Sequence, residues 1–229
     1  MTRWVVRFAF IGILGCSDLT EGPGGVVGLE ITTPASDTLE VGEALQLSAR
    51  ALDKDGNTVS VPISWRAADV TLMVDGGTGL VSGVSPGPGR VQAFVGTLSS
   101  PLVSFTVIAR ADTLILVGDS VVTVAPTATA STPLVTRLES LSPAGPLASR
   151  PVVYAVTSPP DVGPHSVELS GGVLVDTLLT GVDGTVQTAV LSRVAGVPSP
   201  DTAIVEVRAF RTRGAPVPGS GQRFIVLFQ

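Results

Sequence analysis

The chain has 229 residues, enough for one large or two small domains, and a formal net charge of −5 at pH 7. The acidic balance and the scattered arginines, with Lys54 the only lysine, exclude the clustered basic stripe that a nucleic-acid partner requires. Hydrophobic residues make up 44%, which argues against disorder despite 26 Gly and 18 Pro. Val- and Thr-rich runs broken by Gly, Pro, Ser and Asp predict many short strands and almost no helix after residue 15.

Residues 1–15 have the pattern of a signal peptide. Arg3 and Arg7 precede an apolar run, residues 8–14, that is too short to span a bilayer. The sequence Ile13-Leu14-Gly15-Cys16 resembles the bacterial lipobox. This resemblance implies that Cys16 becomes the lipidated first residue of the mature protein and that the membrane is a partner through this lipid anchor.

Cys16 is the only cysteine, so without a lipid it would be a free thiol in an oxidising compartment. The alternative is an ordinary secretory signal in which Cys16 is incidental. Ser17 stands where an Asp would retain many Gram-negative lipoproteins at the inner membrane, so the lipobox implies an outer-membrane or surface lipoprotein. Residues 16–28 are predicted to form a flexible tether.

Short alternating strands are predicted between Leu29 and Ala109. The first is centred on Leu45–Ala51, and Asp53-Lys54-Asp55-Gly56-Asn57 then has the composition of a chain-reversing turn. Further strands are predicted around Trp65, Val74, Leu80–Val81, Val91–Val95 and Val103–Val107. About seven such strands predict a sandwich of two sheets.

This region, residues 29–109, resembles the bacterial Ig-like domain of group 2. The resemblance rests on Gly42-Glu43, the Asp53–Asn57 turn, Trp65, Val74-Asp75 and the stretch Gly79–Gly87. The Gly- and Pro-rich residues 74–91 are predicted to form tight turns between strands, since Gly and Pro disfavour a helix. Trp65 could be an exposed binding aromatic, but its alternation with Ile63 predicts the core tryptophan of the sandwich.

A second domain is predicted at residues 112–229. Its clearest strands are 133–138, 151–156 and 203–207, and 224–228 is expected to pair back into its sheet. The turn Thr180–Thr185, followed by an alternation of Val186, Thr188 and Val190, is similar to the group 1, invasin-type, Ig-like domain. Residues 120–132 show no clear register.

Leu114–Ser120 is an apolar run ending in Gly-Asp-Ser, the way GDSL-type serine esterases present their nucleophile. Such an enzyme needs a downstream Asn for the oxyanion and a His base. The only Asn, Asn57, lies upstream, and the only His, His165, stands in Asp-Val-Gly-Pro-His. Gly118-Asp119 is therefore predicted to be a turn, and no catalytic residue is assigned.

No cofactor or metal site is predicted. His165 lacks a second His or a free Cys with which to bind zinc. In the Asp53–Asn57 segment Gly56 is fourth, whereas an EF-hand loop places its Gly sixth. Gly77, Gly79 and Gly83 miss the spacing of a dinucleotide-binding loop by one residue.

The expected protein is all-β, with two tandem Ig-like β-sandwiches after an N-terminal signal peptide. Its expected role is a non-catalytic envelope lipoprotein that acts as an adhesion, binding or spacer module, with an unidentified protein or carbohydrate ligand. Two alternatives stay open: a structural subunit of an envelope complex, and an esterase that uses Ser120.

Overall fold

The computed structural model describes residues 22–32, 34–160 and 165–229. The helical structure in these ranges is a single 3₁₀ turn at Pro23–Gly25, and the prediction of an all-β protein is confirmed. No helix in the described ranges is long and apolar enough to cross a membrane. The predicted signal peptide, the lipobox and Cys16 lie outside the described residues.

The first sandwich consists of eleven short strands between residues 28 and 108. They are β1 (Gly28–Ile31), β2 (Thr38–Glu40), β3 (Ala44–Gln46), β4 (Ala49–Leu52), β5 (Thr58–Val59), β6 (Ser64–Ala67), β7 (Leu72–Val74), β8 (Leu80–Gly83), β9 (Gly87–Val95), β10 (Leu98–Ser99) and β11 (Val103–Ile108). One layer is the sheet β10-β9-β11-β2, to which β6 adds alongside β9. The other combines β1-β4-β5 with β3-β8-β7, because β3 and β4 are successive pieces of one chain segment.

Alternating side chains from both layers form the first core. Trp65 on β6 is only 6% exposed, which confirms it as a core residue. The predicted alternation along β9 and β11 is confirmed, since every second residue faces inward. The buried set is Ile31, Leu39, Leu47, Trp65, Leu72, Val81, Val91, Ala93, Phe105 and Val107.

The second sandwich consists of eleven further strands between residues 113 and 228. They are β12 (Thr113–Leu116), β13 (Val121–Val124), β14 (Thr136–Leu141), β15 (Ala144–Pro146), β16 (Pro151–Ser158), β17 (Val167–Leu169), β18 (Val175–Leu179), β19 (Thr185–Val186), β20 (Leu191–Arg193), β21 (Thr202–Ala209) and β22 (Gln222–Phe228). One layer is the sheet β13-β22-β21-β16-β18. The other contains β12, β14, β15 and β19 together with the pair β17-β20.

The second core confirms the strand predicted at 203–207, because Ala203, Val205, Val207 and Ala209 are all buried. The final strand pairs with β21 and with β13, as predicted for 224–228. The pairings among the described strands join residues within 28–108 or within 113–228. The domain bounds 29–109 and 112–229 themselves stay predictions.

Both sandwiches split their first strand between the two layers. In the first, β1 pairs antiparallel with β4, and β2 then crosses to pair parallel with β11. In the second, β12 pairs antiparallel with β14, and β13 crosses to pair parallel with β22. In the segment 120–132, which showed no pattern, the register of Val121–Val124 is thus decided by the last strand of the chain, whereas Ala130 pairs with Ser192 of β20.

The alternation predicted for Val186, Thr188 and Val190 is wrong beyond Val186. Strand β19 ends at Val186, Thr188 is exposed, and Ala189 is buried instead. The reason is a break between β19 and β20, where the carbonyl of Ala189 accepts the Leu134 N–H at 2.7 Å. The break shifts the inward-facing positions by one residue.

The predicted tether 16–28 extends too far along the chain. Val26 is fully buried with Leu29, Ala51 and Val95, and the N–H of Val27 donates to the Leu52 carbonyl at 2.8 Å. Burial of an apolar side chain favours packing over a free linker. The chain therefore joins the first sandwich before Leu29.

Candidate functional site

The residues considered for serine chemistry lie apart in the fold. Ser120 is exposed beside β13, and its carbonyl accepts the Ile225 N–H at 2.7 Å. Asn57 belongs to a turn of the first sandwich, where its N–H donates to the Asp53 carboxylate at 2.8 Å. His165 is exposed just before β17. Asn57 and Ser120 thus sit in different sandwiches, in local structures that explain their positions.

The Asp53–Asn57 segment forms the predicted turn. The N–H of Asp53 donates to the Asn57 carbonyl at 3.0 Å, and Gly56 has a positive φ of 82°. The N–H of Asn57 is the main cause that lowers the pKa of Asp53. Within the described ranges, no group of three or more His, Cys, Asp or Glu side chains is placed to hold a metal ion.

The densest set of charged contacts lies where the two sandwiches meet, and we refer to it as the junction. Its members come from the first sandwich, from the connecting segment and from the second sandwich. They are Glu40, Glu43, Arg110, Ala111, Asp112, Arg150, Arg211, Thr212 and Arg213.

Glu40 is the centre of the junction. It ends β2, and its side chain is 1% exposed. One carboxylate oxygen accepts a hydrogen bond from the Arg150 guanidinium of the second sandwich. The other accepts the Ala111 N–H at 3.4 Å and lies 4.0 Å from Arg211 Nε. A buried carboxylate needs such partners, because burial without them strongly disfavours its charged form.

Asp112 is the second buried carboxylate of the junction. One oxygen accepts a hydrogen bond from Arg110 Nε at 2.6 Å and lies 3.7 Å from Arg211 Nη2. The other accepts the Leu141 N–H at 2.8 Å. Since Asp112 belongs to the segment that connects the sandwiches, these bonds hold that segment against the second sandwich.

The turn between β21 and β22 reaches back to the first sandwich. Its Thr212 hydroxyl donates to Glu43 at 2.7 Å, and Arg213 lies 3.6 Å from the same carboxylate. Glu43 also accepts the Glu40 N–H at 2.9 Å. The two glutamates are therefore held together and are each bonded across the junction.

Gly83, from the Gly-rich stretch 74–91, allows this close packing. A Cβ atom there would lie 2.8 Å from the Glu40 carbonyl oxygen and 2.9 Å from Val107. The carbonyl of Gly83 accepts the Gly42 N–H at 2.8 Å. A residue with a side chain would push β8 away from the end of β2, where Glu40 is placed.

The arrangement is suited to holding two bodies in one orientation. Arg150 donates a second bond, at 3.3 Å, to the Ala109 carbonyl, and Arg211 donates to the Ala111 carbonyl at 3.0 Å. The four connecting residues, 109–112, thus have side-chain bonds to the second sandwich at several points. Bending at the connection would separate Glu40 from Arg150 and break the ion pair that joins the two sandwiches.

The residues of the junction were not predicted from the sequence. Glu40 follows Leu39 in a strand too short to show alternation, and Arg150 and Arg211 lie 110 and 171 residues from it along the chain. The available signal was weak: in a chain with only 14% charged residues, Arg110-Ala111-Asp112 places two charges in the connecting segment.

No protein-family model matches the chain, and no curated protein sequence does. Among solved structures, the chain is similar to the adhesin InvE of Yersinia pseudotuberculosis at 15% identity and a TM-score of 0.42, covering 91% of this chain and 61% of that one. It is similar to the Escherichia coli adhesin FdeC at 15% identity and a TM-score of 0.47, covering 88% and 64%.

A further similarity is to fibronectin(III)-like modules of Clostridium thermocellum CbhA, at 15% identity and a TM-score of 0.39, covering 87% of this chain and 92% of that one. The chain spans less than two thirds of each of the two adhesin structures.

Proposed function

We propose that this chain is a non-catalytic lipoprotein of the cell envelope, in which two Ig-like sandwiches form a stiff adhesion or spacer module. The lipid is carried by Cys16 and holds the module to the membrane. The observation that carries the stiffness of this module is the junction, where Glu40 is buried between Arg150 and Arg211. A module that displays a surface at a set distance from a membrane needs a fixed angle between its domains. Its protein or carbohydrate ligand would bind the loops at the strand ends.

Stiffness is tested by the distance between two spin labels in the full chain. Thr58 of the first sandwich and Val182 of the second are both exposed. Replacing each of them with cysteine, in a chain that also carries Cys16→Ser, makes these two cysteines the only labelling sites. Pulsed electron paramagnetic resonance should give one narrow distance distribution. A broad distribution in this parent chain would contradict the proposal.

Arg150→Gln should broaden that distribution, because it removes the cation bonded to buried Glu40. Arg50→Gln is the matched control. Arg50 also pairs with a glutamate, Glu30, but that pair is exposed and lies within the first sandwich. The control variant should leave the distribution narrow.

The lipid anchor is tested by Cys16→Ala in the source organism. The variant should leave the membrane fraction or keep its leader uncut, and unchanged membrane partitioning would remove the lipid from the proposal.

Protease treatment of intact cells then separates surface display, in which the chain is digested, from a periplasmic position. Co-purification from detergent-solubilised membranes separates free display from membership of an envelope complex.

The absence of catalysis is tested on short-chain acyl esters with the purified chain. We expect no turnover above a buffer control. Turnover that Ser120→Ala abolishes would overturn the non-catalytic assignment in favour of the esterase.

A further inference from the structure

The strand β18 forms an open edge of the second sandwich. It is the last strand of the sheet β13-β22-β21-β16-β18, and among the described residues its five positions pair with β16 alone. A strand at a sheet edge presents unpaired N–H and C=O groups that another strand can bind.

The direction of these free groups follows from the ladder with β16. The Val156 N–H donates to the Leu174 carbonyl at 2.8 Å, and the Thr180 N–H donates to the Arg150 carbonyl at 3.0 Å. Hydrogen-bonded positions alternate along an antiparallel pair, so the even-numbered residues of this strand face β16. The backbone groups of Val175, Thr177 and Leu179 therefore point to the open edge.

The same three residues have exposed side chains. Val175 is 57% exposed and Leu179 is 63% exposed, with Thr177 exposed between them. Residues 173–180, Val-Leu-Val-Asp-Thr-Leu-Leu-Thr, contain no Pro, Lys or Arg, and the pairing with β16 runs through β18 without a bulge. Pro, Lys, Arg and bulges, which commonly prevent edge pairing, are thus missing from this strand, and Asp176 is its one charged residue.

The edge is complementary to itself. A two-fold axis through Thr177 would pair each Val175 with Leu179 of a second copy and Thr177 with its own equivalent. All three positions have outward-facing backbone groups, so the pairing would form six N–H···O bonds. On the exposed face it would join Val to Leu, Thr to Thr and Leu to Val, which are favourable cross-strand pairs.

Charge disfavours one of the neighbouring registers. Asp176 is the only charged residue of β18, and in the pairing centred on Thr177 it faces Leu178 of the second copy. The neighbouring register, centred on Asp176, would place two carboxylates directly opposite each other, which is unfavourable.

We propose that β18 is a self-association edge, through which two copies of this chain join their five-stranded sheets into one continuous sheet of ten strands. The contact is isologous, since each copy contributes the same strand. The inference goes beyond the proposed function and does not depend on the lipid or on the junction.

The central Thr pair provides a direct test in the full chain carrying Cys16→Ser, kept in mild detergent. Opposed residues at a hydrogen-bonded pair have Cα atoms about 5.5 Å apart, which suits a disulfide. Thr177→Cys should therefore cross-link into a covalent dimer under mild oxidation at least tenfold faster than Val182→Cys. Val182 is 91% exposed but lies beyond the end of β18, so its two copies are far apart in the dimer. Equal rates, or cross-linking of Thr177→Cys to other proteins only, would overturn the proposal.

Sedimentation velocity over a range of concentrations gives an independent measurement. Thr177→Lys places two ammonium groups opposite each other and should weaken self-association at least tenfold. Thr157→Lys is the matched control, because Thr157 is exposed on the neighbouring strand β16 of the same sheet. Association that survives Thr177→Lys, or a parent chain that is monomeric throughout, would refute the β18 contact.

Discussion

The two sandwiches place an aromatic side chain at the same position and bury it by different means. In the first, β6 carries Trp65 opposite Ala93 of β9. In the second, β16 carries Tyr154 opposite Val207 of β21. Trp65 packs over Gly79, whereas the Tyr154 hydroxyl shares a 2.6 Å hydrogen bond with Thr136 and donates to the Leu134 carbonyl at 3.1 Å.

The difference shows which property of its surroundings each buried aromatic side chain requires. Around Trp65 the requirement is shape, because a Cβ atom at Gly79 would lie 2.6 Å from Trp65 Cε2. Around Tyr154 the requirement is polar, because a fully buried hydroxyl must have partners. The first core should thus be sensitive to volume and the second to the loss of a hydrogen bond or a proton.

The largest expected effect is that of Trp65→Ala. Removing the largest side chain of the first core should lower the free energy of unfolding of that sandwich by about 3–5 kcal/mol. Denaturant unfolding followed by circular dichroism measures the effect. The absorbance of Tyr154, the only tyrosine, follows the second sandwich. A free energy of unfolding unchanged from that of the parent chain would contradict this role of Trp65 in the first core.

The next largest effect is expected to be a loss of stability of the second sandwich at alkaline pH. Burial raises the pKa of Tyr154 to about 12 against the ordinary 10.0, although the hydrogen bonds with Thr136 oppose this. Below pH 10 both states keep the proton and stability is full. Between pH 10 and 12 the unfolded chain loses the proton first, so the free energy of unfolding should fall by about 3 kcal/mol.

Absorbance of tyrosinate measures this titration in the folded and unfolded chain. Tyr154→Phe should remove the decline above pH 10, and at neutral pH it should cost about 1–3 kcal/mol, because Thr136 and the Leu134 carbonyl lose a buried partner. A tyrosine that titrates near its ordinary pKa in the folded chain would contradict the buried network.

A smaller difference is expected between Gly79→Ala and Gly56→Ala. Both glycines have positive φ, 75° and 82°, so each alanine should cost about 1–2 kcal/mol in backbone strain. A Cβ at Gly56 meets nothing within 4 Å, whereas one at Gly79 meets Trp65. Overpacking should add about 1–3 kcal/mol at Gly79 alone. Equal losses in urea unfolding would show that shape is not the constraint.

The smallest effect concerns a kind of turn that occurs in each sandwich, in which an Asp carboxylate accepts a hydrogen bond from the N–H of a following Thr. The side chain of Thr78 is the main cause that lowers the pKa of Asp75, and the N–H of Thr185 has this role for Asp183. An Asp whose pKa is lowered in the folded chain stabilises the fold at pH values above the ordinary pKa of Asp. This stabilisation is lost as the pH falls through the lowered pKa. In Asp75→Asn and Asp183→Asn, the free energy of unfolding of the substituted sandwich should therefore fall less steeply at acid pH than it does in the parent chain. An unchanged acid decline would contradict this account.

Much of the first sandwich could be predicted because its signals are local. Trp65 alternates with Ile63, and the strand at Val91–Val95 repeats an apolar residue at every second position. The second sandwich was less predictable for the same reason. The alternation after Val186 failed because a break between strands shifts the register, and no local pattern marks that break.

The candidate site was missed because it is made of distant residues. Glu40 is surrounded by arginines from the other sandwich, and a single Glu at a strand end carries no local sign of burial. Val26 was assigned to a tether for a similar reason, since its burial depends on Ala51 and Val95.

The sequence by itself determined the all-β character of this protein, its turns and the core position of Trp65. These follow from backbone restrictions of Gly and Pro and from the period-two alternation of apolar residues, which act within a few positions. Only the tertiary structure decided that Glu40 is buried between two arginines, that Gly83 must lack a side chain, and that Val175, Thr177 and Leu179 lie at an open edge. Those features depend on which strands become neighbours, and that is settled by packing and hydrogen bonding over the whole chain.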